Sequence, residues 1–114
     1  MRLELNLFAG RHDLPANEAI FKTPLKDVTN VALIEDLATT SLQLIAYSLG
    51  IEEYFTTDEE VLFDFPRNAE VVIYVTGLTV ALIATINVLR SYDAKITLAH
   101  YDKGSNDYYF QEVK

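Results

Sequence analysis

The fold turns on residues 70–101, EVVIYVTGLTVALIATINVLRSYDAKITLAHY. The stretch opens with Val71-Val72-Ile73-Tyr74-Val75, a nearly continuous apolar run of β-branched and aromatic side chains. Such a run suits a central strand covered on both faces. Thr76-Gly77 interrupts it, and a new pattern starts at Leu78. Val80, Leu82, Ile83, Ile86, Val88 and Leu89 then sit almost all round a helix over 79–92, with Thr79 as its candidate cap. A helix apolar on all sides is buried on more than one, and in so short a chain a second copy is expected to cover part of it. Residues 95–101 return to extended chain, with Ile96, Leu98 and His100 on one face. Strand 71–76, helix 79–92 and strand 95–101 thus make a βαβ unit with parallel strands and a right-handed crossover. The competing reading is a membrane span, because no charge falls between Val71 and Leu89. The break at Thr76-Gly77 and the absence of a basic cluster at either end favour strand followed by helix.

Working outward, Arg2–Phe8 alternates, with Leu3, Leu5 and Leu7 opposite Arg2, Glu4 and Asn6. That is a period-two strand with one wet face, ended by Ala9-Gly10. Residues 14–28 hold Pro15 and Pro24 and no firm period, so they read as a loop with one helical turn near Ala16–Phe21. Asn30 or Thr29 can cap a helix over 31–49, whose expected buried stripe is Ile34, Leu37, Ala38, Leu42, Ile45 and Leu49. Gly50 supplies the left-handed residue that ends it. Residues 51–60, with five carboxylates, read as a solvated acidic loop, in which Thr57 and Glu60 fit a capping box. Val61–Phe65 is an edge strand stopped by Pro66. After the turn at 102–107, Tyr108–Val113 returns antiparallel and closes the sheet. The fold class expected is α/β: a small Rossmann-like sandwich of two or three layers. Its central sheet is mainly parallel, with a C-terminal antiparallel strand, in a single domain spanning 1–114.

Composition narrows the function. The net charge is −8, and the nine Lys and Arg are scattered without a basic stripe. Duplex nucleic acid and anionic membranes are therefore poor partners. With no cysteine there is no disulfide, thiolate metal site or cysteine nucleophile, which suits a reducing compartment. Arg2, Glu4 and Asn6 break any secretory apolar core, so a cytoplasmic location is expected. No metal or cofactor is implied.

In open α/β sheets ligands gather outside the carboxyl ends of the parallel strands. Three segments should meet there: Gly10 to Asp13, Thr76 to Thr79, and His100 to Asp102. The candidate ligand residues are Arg11, His12, Thr76, Gly77, Thr79, His100 and Asp102. Gly77 lets backbone approach a ligand, and Thr79 offers a hydroxyl beside free helix N–H groups, a place for phosphate or carboxylate. The plainer reading is a tight turn and a cap. His12, flanked by Arg11 and Asp13, and His100 are candidate proton-transfer groups; the plainer readings, which the residue types favour, are an exposed loop histidine and a strand histidine bonded to a neighbour such as Asp102 or Tyr101. There is no phosphate-loop fingerprint and no nucleophile elbow. Tyr108-Tyr109-Phe110 on the last strand offers aromatic surface for an edge-strand interface or for ordinary packing.

Val72–Tyr101 resembles the second half of the CRISPR-associated Rossmann-fold (CARF-like) sensor domains. The match rests on an apolar strand, the turn Thr76-Gly77-Leu78-Thr79, an apolar helix and a strand ending in Tyr101-Asp102. Leu78 stands where those domains have a second glycine, and Val80 where they have lysine. The resemblance implies a homodimer binding a cyclic oligonucleotide across its two-fold axis. The chain is also similar to small uncharacterised bacterial and prophage proteins. Three functions follow as expectations: a non-enzymatic, self-associating interaction or regulatory protein; a nucleotide-binding or nucleotide-degrading domain; and a minimal hydrolase using the two histidines.

Overall fold

The chain changes direction at Gly77, as its sequence requires. In the computed structural model, which describes residues 1–10 and 15–114, strand Glu70–Tyr74 leads through that turn into a helix over Thr79–Ser91 and then into strand Lys95–Asp102. In chain order the elements are β1 (Arg2–Phe8), β2 (Glu18–Phe21), α1 (Val31–Leu49), β3 (Glu53–Thr56), β4 (Val61–Asp64), β5 (Glu70–Tyr74), α2 (Thr79–Ser91), β6 (Lys95–Asp102) and β7 (Asp107–Val113). The main sheet has the order β2-β1-β5-β6-β7. Its first four strands are parallel, and β7 returns antiparallel to β6. No helix among the described residues is long and apolar enough to cross a membrane.

Both long connections, β2 to β5 and β5 to β6, carry the chain in the same direction across the sheet. Crossovers of one hand therefore lay both helices on the same face. The packing agrees: Leu3, Leu5 and Leu7 of β1, Val71 and Ile73 of β5, and Ile96 and Leu98 of β6 share one core with both helices. The architecture is two layers. The opposite face carries a smaller cluster of Val72, Tyr74 and Ala99, backed by Ala16 and Tyr108. Asn6 is buried on this face and makes two hydrogen bonds to the backbone of Ala16, one donated and one accepted. That pins Ala16 to the helix-free side.

Several expectations need correction. Residues 18–21 are a parallel edge strand rather than a helical turn, because Glu18–Phe21 finds its hydrogen-bond partner in β1. The acidic segment holds a strand, β3, paired antiparallel with β4 in a separate two-stranded sheet. Thr57 and Glu60 close this hairpin through backbone and hydroxyl hydrogen bonds and start no helix. Val61–Asp64 is thus a hairpin strand outside the main sheet. In α1, Leu37 and Leu49 lie outside the core, and Ala46 takes a buried place beside Ile34, Ala38, Leu42 and Ile45. On α2, Ala81, Ala84, Thr85, Val88 and Leu89 are buried within the chain, while Ile83 is 52% exposed.

Candidate functional site

The expected strand-end cluster comes first. Gly77 has φ +81°, and a Cβ there would lie 2.8 Å from the Phe8 ring. Glycine is therefore demanded by backbone geometry and by Phe8, itself stacked on Phe21 at 5.2 Å between ring centroids. Thr79 is the first residue of α2, not its cap; the cap position is Leu78, which makes no side-chain hydrogen bond. The first N–H groups of α2 consequently lack a capping side chain. Beside them the Thr76 hydroxyl is shielded from solvent and has no hydrogen-bond partner among the described residues.

The other candidates are engaged elsewhere. His100 forms a 3.0 Å hydrogen bond with the Gln111 side chain and stacks on Tyr109 at 5.1 Å, across the β6–β7 ladder. Asp102 accepts from Gly104 N–H and from the Ser105 hydroxyl, each at 3.0 Å. These bonds hold its carboxyl below the usual carboxylate range and fix the turn into β7. Among the described residues no hydrogen bond joins His100 or Asp102 to Thr76–Thr79. Arg11 and His12 lie outside the described residues.

Two features had no clear sequence signal. The first is a groove of about 480 Å³ between α1 and the segment following β2. Its floor is Leu33, Leu37 and Leu44 of α1, and its wall is Phe21, Pro24 and Leu25. Lys22 and Lys26 stand on the rim. Local chemistry shapes the wall. Asp27 accepts from both the N–H and the hydroxyl of Thr29, bonds that lower its pKa and tighten the chain just before the helix. Asn30 then caps α1 by accepting from Leu33 N–H at 3.1 Å. Ser41 donates to the Ile20 carbonyl and ties the groove's far end to β2. The lining is mostly apolar with a few polar groups at the edge, the usual constitution of a binding groove.

The second is a polar joint under the β3–β4 hairpin. One oxygen of Asp64 accepts from Gln43 of α1 at 3.0 Å, from the Tyr92 hydroxyl at 2.6 Å and from Phe65 N–H at 2.8 Å. Burial, and then the hydrogen bond to Asp64, push the Tyr92 phenol up to about 12. Tyr47 packs on Phe63 at 5.2 Å and completes the seam between α1 and the hairpin.

The aromatics of β7 obey strand alternation and so do not share one face. Tyr108 sits against Tyr74 and Tyr101 on the helix-free side, while Tyr109 faces the other way beside His100. Phe110 lies opposite Ala99 on an open sheet edge and is 58% exposed. No family model, curated protein or solved structure matches this chain.

Proposed function

We propose that this chain is a non-enzymatic cytoplasmic interaction or regulatory protein that works by self-association, as a homodimer. The observation that carries this reading is apolar surface left outside a finished core. On α1 alone Leu33, Leu37, Leu44 and Tyr47 are 44%, 46%, 58% and 58% exposed, while the opposite stripe of the same helix is fully buried. Scattered exposed leucines are ordinary; a continuous row beside a groove marks an interaction surface. The edge strand β7, with Tyr109 and Phe110 exposed, is a second such surface. Sedimentation velocity over a hundredfold concentration range tests the reading. A species of about 26 kDa that dissociates on dilution supports it, and a 12.9 kDa monomer throughout removes it.

A second reading has its own support. The order β2-β1-β5-β6 reverses direction between β1 and β5, the kind of switch point at which Rossmann-like sheets hold ligands. The uncapped start of α2 and the unpartnered Thr76 hydroxyl lie at the carboxyl end of β5. Together with the CARF-like resemblance they favour an anionic ligand such as a nucleotide or cyclic oligonucleotide, bound with Thr76, Gly77 and Thr79. The charge of −8 opposes it. A thermal-shift screen against nucleotides and cyclic oligonucleotides decides: stabilisation by several degrees establishes this site.

A further inference from the structure

Besides Val31 and Leu49 at its ends, α1 exposes a regularly spaced row. Leu33, Leu37, Thr40, Leu44 and Tyr47 follow one another at intervals of four, three, four and three. That is the 3.5-residue repeat of a coiled-coil seam, sustained for two heptads over about 21 Å of helix axis. It is distinct from the stripe Ile34, Ala38, Leu42, Ile45 that faces the chain's own sheet. A helix that needed only its own core would have no use for a second apolar row at this period. A small-molecule ligand would not require it either, because the row runs on past the groove to Tyr47.

We infer that the row is a docking surface for a second copy of this chain, with the two α1 helices parallel and packed seam to seam. The inference rests on the self-association proposed above and names its contact. The occupant and its direction follow from charge. At roughly 100° per residue, the flank of α1 facing the groove holds Ser41, and the other flank holds Asp36 and Gln43. Lys22 and Lys26, with Asp27, rim the first flank. The second adjoins the open end of the β3–β4 hairpin through Gln43–Asp64 and Tyr47–Phe63. The seam thus runs between a rim of net positive charge and the flank that carries the Asp36 carboxylate. A two-fold axis along the helices sets each lysine rim against the partner's Asp36 flank. A two-fold axis across them would set like against like. Parallel pairing also stacks each leucine on its own copy, with Thr40 the one polar residue of the seam, a device that fixes register. The four large side chains present roughly 400 Å² of apolar surface, about half of what each partner contributes to a standard interface. Pro24 and Leu25 of the groove wall supply more.

The absence of cysteine makes the test direct. Single variants Leu33→Cys and Thr40→Cys are oxidised and run without reductant, while oligomeric state is measured by light scattering for the wild type, Leu37→Glu/Leu44→Glu, Phe110→Asp, Lys26→Glu and Lys26→Glu/Asp36→Lys. The expected result is a wild-type dimer, efficient disulfide linkage of both cysteine variants, and a folded monomer for Leu37→Glu/Leu44→Glu. Phe110→Asp stays dimeric. Lys26→Glu weakens the dimer several-fold, and the double charge reversal restores it. Linkage through Thr40→Cys without linkage through Leu33→Cys means antiparallel helices and overturns the inference. A dimer that survives Leu37→Glu/Leu44→Glu but is lost in Phe110→Asp places the contact on β7, overturning the inference and keeping self-association. A wild-type monomer at about 1 mM overturns both; if dodecanoate then raises its Tm, the groove belongs to an amphipathic small molecule.

Discussion

Single residues decide the two joints on which the rest is hung. At Gly77 any side chain meets Phe8 and also inherits a left-handed backbone. Gly77→Ala is expected to cost about 1–3 kcal/mol, read as a lower urea midpoint. A neutral result would mean that Phe8 can move aside and that the turn is not strained. At Tyr92 the phenol donates to Asp64 and ionises only near pH 12. Its folded pKa is above the unfolded value of about 10. The stabilisation is therefore fully present below pH 10 and is lost as pH rises through 12. Absorbance titration at 295 nm should show a late tyrosine transition in the wild type that is missing in Tyr92→Phe. Residue-level reading from sequence served unevenly. Gly77, Asn30 and Gly50 declare themselves because only certain side chains tolerate their positions. Asp64 and Tyr92 stand apart in the chain and carry no local mark; only their meeting in space makes the joint.

At the scale of elements, β1, α1 and β6 were legible by their period, β5 and α2 by apolar runs divided at Thr76-Gly77, and β7 by the turn that precedes it. β2 was not. Four residues between two prolines are too few to show alternation, and their identity as a strand comes from pairing with β1. β3 was hidden among the carboxylates around it; its own, Glu53, is exposed on a two-stranded ribbon and so need not interrupt it. On α1 the sequence reading merged Leu37 and Leu49 into the inward stripe of Ile34, Ala38, Leu42 and Ile45, because spacings of three and four fit the outer row as well. Mutation separates them. Leu42→Ala, in the fully buried row, should cost about 2–5 kcal/mol. Leu44→Ala, measured at concentrations where the chain is monomeric, should cost under about 1 kcal/mol. Equal losses would mean that the outer row is part of the monomer's core. Asn30→Ala removes the cap on Leu33 N–H and should cost about 1 kcal/mol.

Over the whole molecule, charge and apolar surface act against each other. Two bodies of −8 held about 30 Å apart repel by about 9 kcal/mol in water without salt. At physiological ionic strength the Debye length is about 8 Å and most of this repulsion is screened. Exposed Lys–Asp contacts contribute only about 0–1 kcal/mol each. The long-range repulsion therefore wins at low salt. Self-association should tighten between 10 and 150 mM salt, as read by sedimentation equilibrium; weakening over that range would show that local ion pairs dominate. The strand-end cluster, which sequence singled out from topology, is divided by the fold. Of its described members, His100 and Asp102 serve the β6–β7 hairpin, and the Thr76 hydroxyl has no hydrogen-bond partner among the described residues.

Amide chemical shifts followed by two-dimensional NMR during serial dilution test self-association through α1 most directly. The shifts that change on dilution should cluster between residues 33 and 47 and along the 22–26 rim. Spectra that do not change on dilution, but shift at Thr76–Thr79 when a cyclic oligonucleotide is added, would contradict it.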